Sequence, residues 1–236
     1  MLQKSRGIVL KIIPFSDRQK IARIFTEDFG ARSMLFGTGG KTGKAMLALL
    51  QPLQHCELIF FSKPEGIDAL RQASSAHVYT HLTHDPIKRL QAMFMSEVLY
   101  RCLHHHGEDS ELYLFTLDSL CSFDAGNGVQ PDEHIHWLLE LSRRMGFYPE
   151  DNFDEQRKYF NPSEGVFVSG SQGRLSPAYS EQESRLFHTL LSEGMLPPLN
   201  REERSRLLAL IIALFAAHVP GWKDLKSPEI LAEIIR

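Results

Sequence analysis

The sequence predicts an α+β protein: a five-stranded OB-fold barrel at the N-terminus, followed by a mostly helical part with a small β-hairpin. Three observations predict it. Short apolar runs between turn residues fill the first 80 residues, a helical apolar period begins near residue 85, and basic residues concentrate in the strand-rich part. Residues 1–80 carry 11 Lys/Arg against 6 Asp/Glu, whereas residues 81–236 carry 15 against 23. We therefore expect a nucleic-acid-binding domain over residues 1–80 and a helical domain over residues 81–236.

Five stretches of the first domain have strand patterns. The first covers residues 7–13 and stops at Pro14, the second covers 20–26, and the third covers 31–36. After a glycine-rich loop, Cys56, Leu58 and Phe60 alternate with their neighbours, and 68–79 has the weakest of the five patterns. Five short strands in a basic segment favour an OB barrel.

The helical domain begins with a strong start signal. Asp85 is a good N-cap, Pro86 suits the first helical position, and apolar residues follow at spacing four from Leu90 to Cys102. Further helices are expected over 110–123, over 131–145 with Gly146 as the stop, from 181, from a capping box at Asn200 and Glu203, and from Ser227. Between them, about 157–169 is predicted to form the hairpin.

Composition excludes several classes of protein. The three cysteines, Cys56, Cys102 and Cys121, lie far apart, which fits a reducing cytoplasm and argues against a disulfide framework. The longest apolar stretch, 207–219, has 13 residues, and a membrane helix needs about 20. We expect a cytoplasmic protein without a membrane span.

An ordered set of motifs resembles the RecO family of recombination mediators. The matching residues are Gly7-Ile8-Val9-Leu10, Phe15-Ser16-Asp17, Phe25-Thr26, Gly30, Leu50-Gln51-Pro52-Leu53, Met145-Gly146-Phe147-Tyr148-Pro149, Phe160-Asn161-Pro162, Gly165, His218, Gly221 and Leu225-Lys226-Ser227. The resemblance implies a nucleoid-associated, non-enzymatic protein that binds single- and double-stranded DNA and anneals strands. Its implied partners are RecR and the acidic tail of single-stranded-DNA-binding protein, and it would help RecA replace that protein on DNA.

Two departures from the family pattern matter. Many members hold zinc with four cysteines around the hairpin, whereas this region contains Asp151, Asn152, Ser169 and Gly170, so we expect neither metal nor another cofactor. The family's loop after the third strand is usually rich in Arg and Lys. Here residues 37–44 contain four glycines and two lysines.

The candidate DNA contacts are the basic residues of the barrel, because a phosphate backbone requires positive charge along a groove. They are Lys4, Arg6, Lys11, Arg18, Lys20, Arg23, Arg32, Lys41 and Lys44. Single-strand binding also uses aromatic platforms, for which Phe15, Phe29 and Phe36 are candidates, although barrel core is the commoner role of a phenylalanine.

A partner tail with carboxylates and a terminal aromatic group needs an apolar slot with a basic edge. Trp137 and Leu141, beside Arg143 and Arg144, are the candidates. The alternative is core packing with two surface arginines.

Three other interpretations compete with DNA binding. The barrel could bind RNA. The glycine-rich loop from Gly37 to Lys44 could serve a small nucleotidase, but a P-loop needs four residues before its Gly-Lys-Ser/Thr, and Gly37 leaves two. The histidines at 77, 81, 84 and 104–106 have metal-like spacing without a nearby cysteine, which favours surface or helix-end roles.

Overall fold

The structure is a computed structural model that describes residues 1–63, 66–82, 84–103, 106–126, 132–170, 179–223 and 225–227. These residues form two compact units. One contains the described residues up to 126 together with 225–227, and the other contains those from 132 to 223. The boundary at residue 80 marks the change from strand to helix patterns and stays a prediction about domains. In space, the first helices of the helical part belong to the same unit as the barrel.

The first unit contains the predicted five-stranded barrel. Its strands are β1 (Leu2–Ser16), β2 (Gln19–Thr26), β3 (Gly30–Gly37), β4 (His55–Phe61) and β5 (Asp68–Ser75). They close in the order β1–β2–β3–β5–β4, and β4 returns to β1. All neighbours are antiparallel except β3 and β5. The predicted fold class is therefore confirmed.

The ends of two strands differ from the prediction. β1 does not stop at Pro14, which pairs with Lys20, and its register shifts between Val9 and Lys11 and between Pro14 and Ser16. Such irregularities let a strand accommodate proline and bend around a barrel. β5 ends at Ser75 instead of continuing to residue 79.

The glycine-rich stretch is not a loop, because residues 40–43 form the first turn of helix α1 (Gly40–Leu49). Glycine disfavours helix, so local propensity argued against this element. Packing overrides it, since Met46, Leu47 and Leu49 contact the barrel core. Gly43 is required there, because a Cβ would lie 2.6 Å from the carbonyl carbon of Thr38.

The barrel core consists of inward-facing alternate strand residues and the leucine that follows α1. Its members are Val9, Ala22, Ile24, Met34, Phe36, Leu50, Cys56, Leu58, Phe60 and Leu70. The opposite faces of the same strands are therefore available to polar side chains and to a neighbouring helix.

Two helices complete the first unit, α2 (Pro86–Cys102) and α3 (Ser110–Ala125). The predicted N-cap is confirmed, since the Asp85 carboxylate accepts hydrogen bonds from the amides of Ile87 and Lys88. The Ser96 hydroxyl donates to the carbonyl of Leu10 at 2.6 Å, which fixes α2 across β1.

The second unit contains α4 (Glu133–Arg144), β6 (Tyr159–Asn161), β7 (Val166–Val168), α5 (Glu181–Glu193) and α6 (Arg201–His218). The predicted hairpin and the predicted capping box of Asn200 and Glu203 are both confirmed. Gly146 follows α4 with a φ of 83°, as a stop requires. The helix expected from Ser227 lies outside the described residues, as does Pro131.

Aromatic packing and one amide hold the hairpin where the family often has zinc. Phe160 and Phe167 of the hairpin are buried, and Phe160 contacts Phe187 of α5. The Asn152 side chain accepts from the Phe167 amide at 2.6 Å and donates to the Phe167 carbonyl at 3.1 Å.

Candidate nucleic-acid interface

Four of the nine predicted DNA contacts lie at one end of the barrel. Arg18 and Lys20 belong to the β1–β2 hairpin, and Lys41 and Lys44 belong to the first turns of α1. The Thr38 amide donates to the Arg18 carbonyl at 2.9 Å, which joins the hairpin to the residues just before α1. We call this group, together with the exposed Phe15, the basic rim.

The N-terminus of α1 strengthens the positive potential of the basic rim. Its N-cap, Gly39, provides no side-chain hydrogen bond, and its first turn contains no acidic residue. The amides of a helix N-terminus carry partial positive charge, and Lys41 and Lys44 add full charges beside them. This arrangement is unfavourable for the helix alone and favourable once an anion is bound.

Two other candidates have structural partners instead. Arg6 donates to both carboxylate oxygens of Glu27, at 2.8 and 2.7 Å. Arg32 likewise donates to both oxygens of the buried Asp68, at 2.8 and 2.9 Å. Hydrogen bonding to these carboxylates raises the pKa of each arginine. Since each guanidinium is bound to a carboxylate, neither presents an open cation to a ligand.

The three remaining candidates lie on β1 and β2. Lys4 is exposed on β1, opposite Ile59 of β4. Lys11 and Arg23 form a cross-strand pair that faces α2, where Lys11 contacts the ring of Tyr100. The Arg23 guanidinium also donates to the Ser33 hydroxyl. The nine predicted residues therefore do not form one continuous surface.

Among the three aromatic candidates, Phe15 alone suits base stacking. It is 55% exposed and lies where the β1–β2 register shifts, next to Lys20 across the hairpin. Phe36 is in the core, and half-buried Phe29 packs edge-on against Phe60. An exposed aromatic beside cations is the pattern used for sequence-tolerant binding of single strands.

The candidate residues for the partner tail do not form one slot. Trp137 and Leu141 are buried in the second unit, at 8% and 0% exposure. Arg143 and Arg144 point outward, where both donate to Glu140 at 3.2 Å. These positions resemble the alternative of core packing with two surface arginines.

The histidines are not gathered into a metal site in the described part of the chain, which contains no cluster of three or more metal-ligating side chains. His77 packs against Tyr79, and His106 pairs with Asp109 at 3.0 Å. His104 and His105 lie outside the described residues.

Sequence reasoning missed two residues, Tyr100 and Arg101 on α2. Both lie beside Lys11 on the barrel face. An arginine in the last turn of a helix has an ordinary interpretation as a partner of the helix dipole, so the sequence contained no signal for a further role.

No helix among the described residues has the length and apolar character to cross a membrane.

Comparison with known proteins matches both parts of the chain. The family model for the N-terminal part of recombination protein O matches residues 1–79, and the model for its C-terminal part matches residues 83–228. The DNA repair protein RecO of Bacteroides fragilis strain YCH46 is 31% identical over 242 residues, which cover 99% of both chains. The proteins of the same name from Porphyromonas gingivalis strain W83 and Flavobacterium johnsoniae are 27% and 28% identical, over 99% and 98% of both chains.

Proposed function

This chain belongs to the RecO family of DNA repair and recombination proteins, which are non-enzymatic mediators, and from that premise we propose that it binds single- and double-stranded DNA through the basic rim. The observation that carries the proposal is the rim itself: two basic elements meet at one barrel end beside an exposed phenylalanine. Phosphates would be bound by Arg18, Lys20, Lys41 and Lys44, and a base would stack on Phe15.

The broader role proposed with it is strand annealing and, together with RecR, the loading of RecA onto DNA coated by single-stranded-DNA-binding protein, in the cytoplasm at the nucleoid. The helical part would recognise the acidic tail of the coating protein. The buried positions of Trp137 and Leu141 place the greater weight of this recognition on the exposed Arg143 and Arg144.

Nucleotide hydrolysis finds no support in the geometry of the glycine-rich stretch. Only Thr38 and Gly39 separate β3 from α1. A P-loop needs a longer segment to wrap a phosphate chain with its backbone amides.

The test is charge reversal at the hairpin. We expect Arg18→Glu/Lys20→Glu to weaken binding of a labelled oligothymidylate at least tenfold at low salt, while the thermal midpoint changes little, since both side chains lie at the hairpin end. Glu replacement of the exposed Arg157, in the second unit, is the matched control. An unchanged Kd in the double variant would contradict the basic rim. Preference for RNA over DNA of equal length would favour the alternative of an RNA-binding barrel.

A further inference from the structure

A second basic group lies on the outer face of β1 and β2, where α2 packs against the barrel. Lys11 and Arg23 are opposite each other in the register of these strands. The Lys11 ammonium lies 4.5 Å from the centre of the Tyr100 ring, and the guanidinium carbon of Arg101 lies 5.7 Å from it. We call these four residues the Tyr100 cluster.

The cluster is a concentration of positive charge with little compensation. Like charges directly opposite on neighbouring strands disfavour a sheet. Among the described residues, neither Lys11 nor Arg101 lies within ion-pair distance of a carboxylate. Burial lowers the pKa of Arg23, and Tyr100 offsets part of that effect, so Arg23 too lies in surroundings that disfavour its charge.

Arg101 also has an unused donor. Its Nε is buried and has no hydrogen-bond partner in the part of the chain that the structure describes. The acid one turn earlier, Glu97, binds elsewhere, since it accepts from the Ser227 amide at 3.0 Å and from the Ser227 hydroxyl at 2.6 Å. A buried guanidinium N–H without an acceptor is costly.

The helix dipole explains only part of this arrangement. Arg101 lies in the last turn of α2, where a cation is favourable. That interaction leaves Nε without an acceptor, and it does not account for Lys11 and Arg23 on the strands. An anion with several acceptor oxygens would satisfy Nε and neutralise the neighbouring charges together.

We propose that the Tyr100 cluster binds a phosphate of the DNA backbone, as a second anchoring point in addition to the basic rim. This inference rests on the proposed DNA binding and deepens it by adding Tyr100 and Arg101 to the interface. Arg101 and Lys11 provide the charge, and the Tyr100 ring holds both cations beside β1. A strand bound at the rim would then extend along the outer face of the barrel.

The test compares Arg101→Gln with Arg89→Gln, an exposed arginine about three turns earlier on the same helix. We expect Arg101→Gln to weaken oligothymidylate binding about fivefold at low salt and to make the slope of log affinity against log salt shallower by about 0.7, the effect of one lost phosphate contact on a single strand. Arg101→Lys should restore most of the slope. Lys11→Gln provides the same test at an exposed strand position.

Each outcome separates the two proposals. If the wild type binds DNA with a steep salt dependence, and Arg101→Gln and Lys11→Gln both match Arg89→Gln, the cluster is not a phosphate site, and DNA binding by the rim stands. If the wild type shows no salt-dependent DNA binding, the proposed function fails and this inference fails with it. If inorganic phosphate raises the thermal midpoint of the wild type but not of Arg101→Gln, while their DNA affinities are equal, the site serves a free anion and the DNA assignment is wrong.

Discussion

At the scale of single residues, a buried lysine ends a helix. Lys88 is 2% exposed, and its ammonium donates to the carbonyls of Phe123, Asp124 and Gly126 at 2.8, 3.3 and 2.6 Å. These carbonyls belong to the C-terminus of α3, where backbone acceptors lack helical partners and the dipole favours a cation. Lys88 therefore joins the start of α2 to the end of α3.

Replacing Lys88 with methionine should destabilise the protein by about 2–4 kcal/mol, because three buried carbonyls lose a charged donor while the volume is kept. Urea unfolding measures the change, and Lys44→Met, at an exposed helical lysine, is the control. A loss below about 0.5 kcal/mol, the range of surface substitutions, would show that water replaces the ammonium without cost.

His134 makes stability depend on pH. Burial lowers its pKa to about 4, with Arg204 and His136 contributing in the same direction. In the unfolded chain a histidine titrates near 6.5. Stability is therefore complete above about pH 6.5, and it falls as the pH decreases towards 4 because the unfolded state takes up the proton first.

We expect this one group to remove about 3 kcal/mol between those pH values. His134→Gln should abolish that part of the loss, whereas His136→Gln, at an exposed position two residues later, should retain it. Unfolding by urea at pH 7 and pH 4 gives the comparison. Equal losses in the two variants would contradict the assignment to His134.

At the scale of elements, predictability followed the strength of local signals. Helix α2 was predictable because Asp85 and Pro86 mark its start, and the barrel strands because apolar residues alternate. Helix α1 was not, since its first turn is glycine-rich and its stability comes from packing on a core formed by distant strands. Local sequence contains no information on such tertiary contacts.

The same limit applied to the interface. Arg6 and Arg32 look like Lys41 in the sequence, yet their carboxylate partners lie 21 and 36 residues away. Only the closure of the barrel brings those groups together. Arg101 was missed for the converse reason, because its neighbours on β1 and β2 come from a different part of the chain.

The charge pattern of α1 allows stability and binding to be separated. Lys41→Glu/Lys44→Glu places acids at a helix N-terminus, which the dipole favours by about 0.3–1 kcal/mol each. The variant should therefore be as stable as the wild type or slightly more so, yet bind single-stranded DNA at least tenfold more weakly. Thermal unfolding and fluorescence anisotropy measure the two effects, with Lys63→Glu, on the β4–β5 connection, as the control. Unchanged affinity would remove α1 from the interface.

At the scale of the whole molecule, the division of charge organises the account. A net charge of −3 conceals a basic barrel and an acidic helical part, so overall charge alone would argue against a DNA-binding protein. Attraction is concentrated at the basic rim and, by our inference, at the Tyr100 cluster. The acidic helical part would limit indiscriminate binding to nucleic acid elsewhere on the surface.

The salt dependence of DNA binding by the intact protein tests the central claim most directly. Each phosphate neutralised on a single strand contributes a slope of about −0.7 to a plot of log affinity against log salt. Four to six contacts, from the rim and the Tyr100 cluster together, predict a slope of roughly −3 to −4. Binding of oligothymidylate should be measured by anisotropy over a range of salt concentrations. A slope in that range is the predicted result, and a slope near zero would contradict an interface built on backbone phosphates.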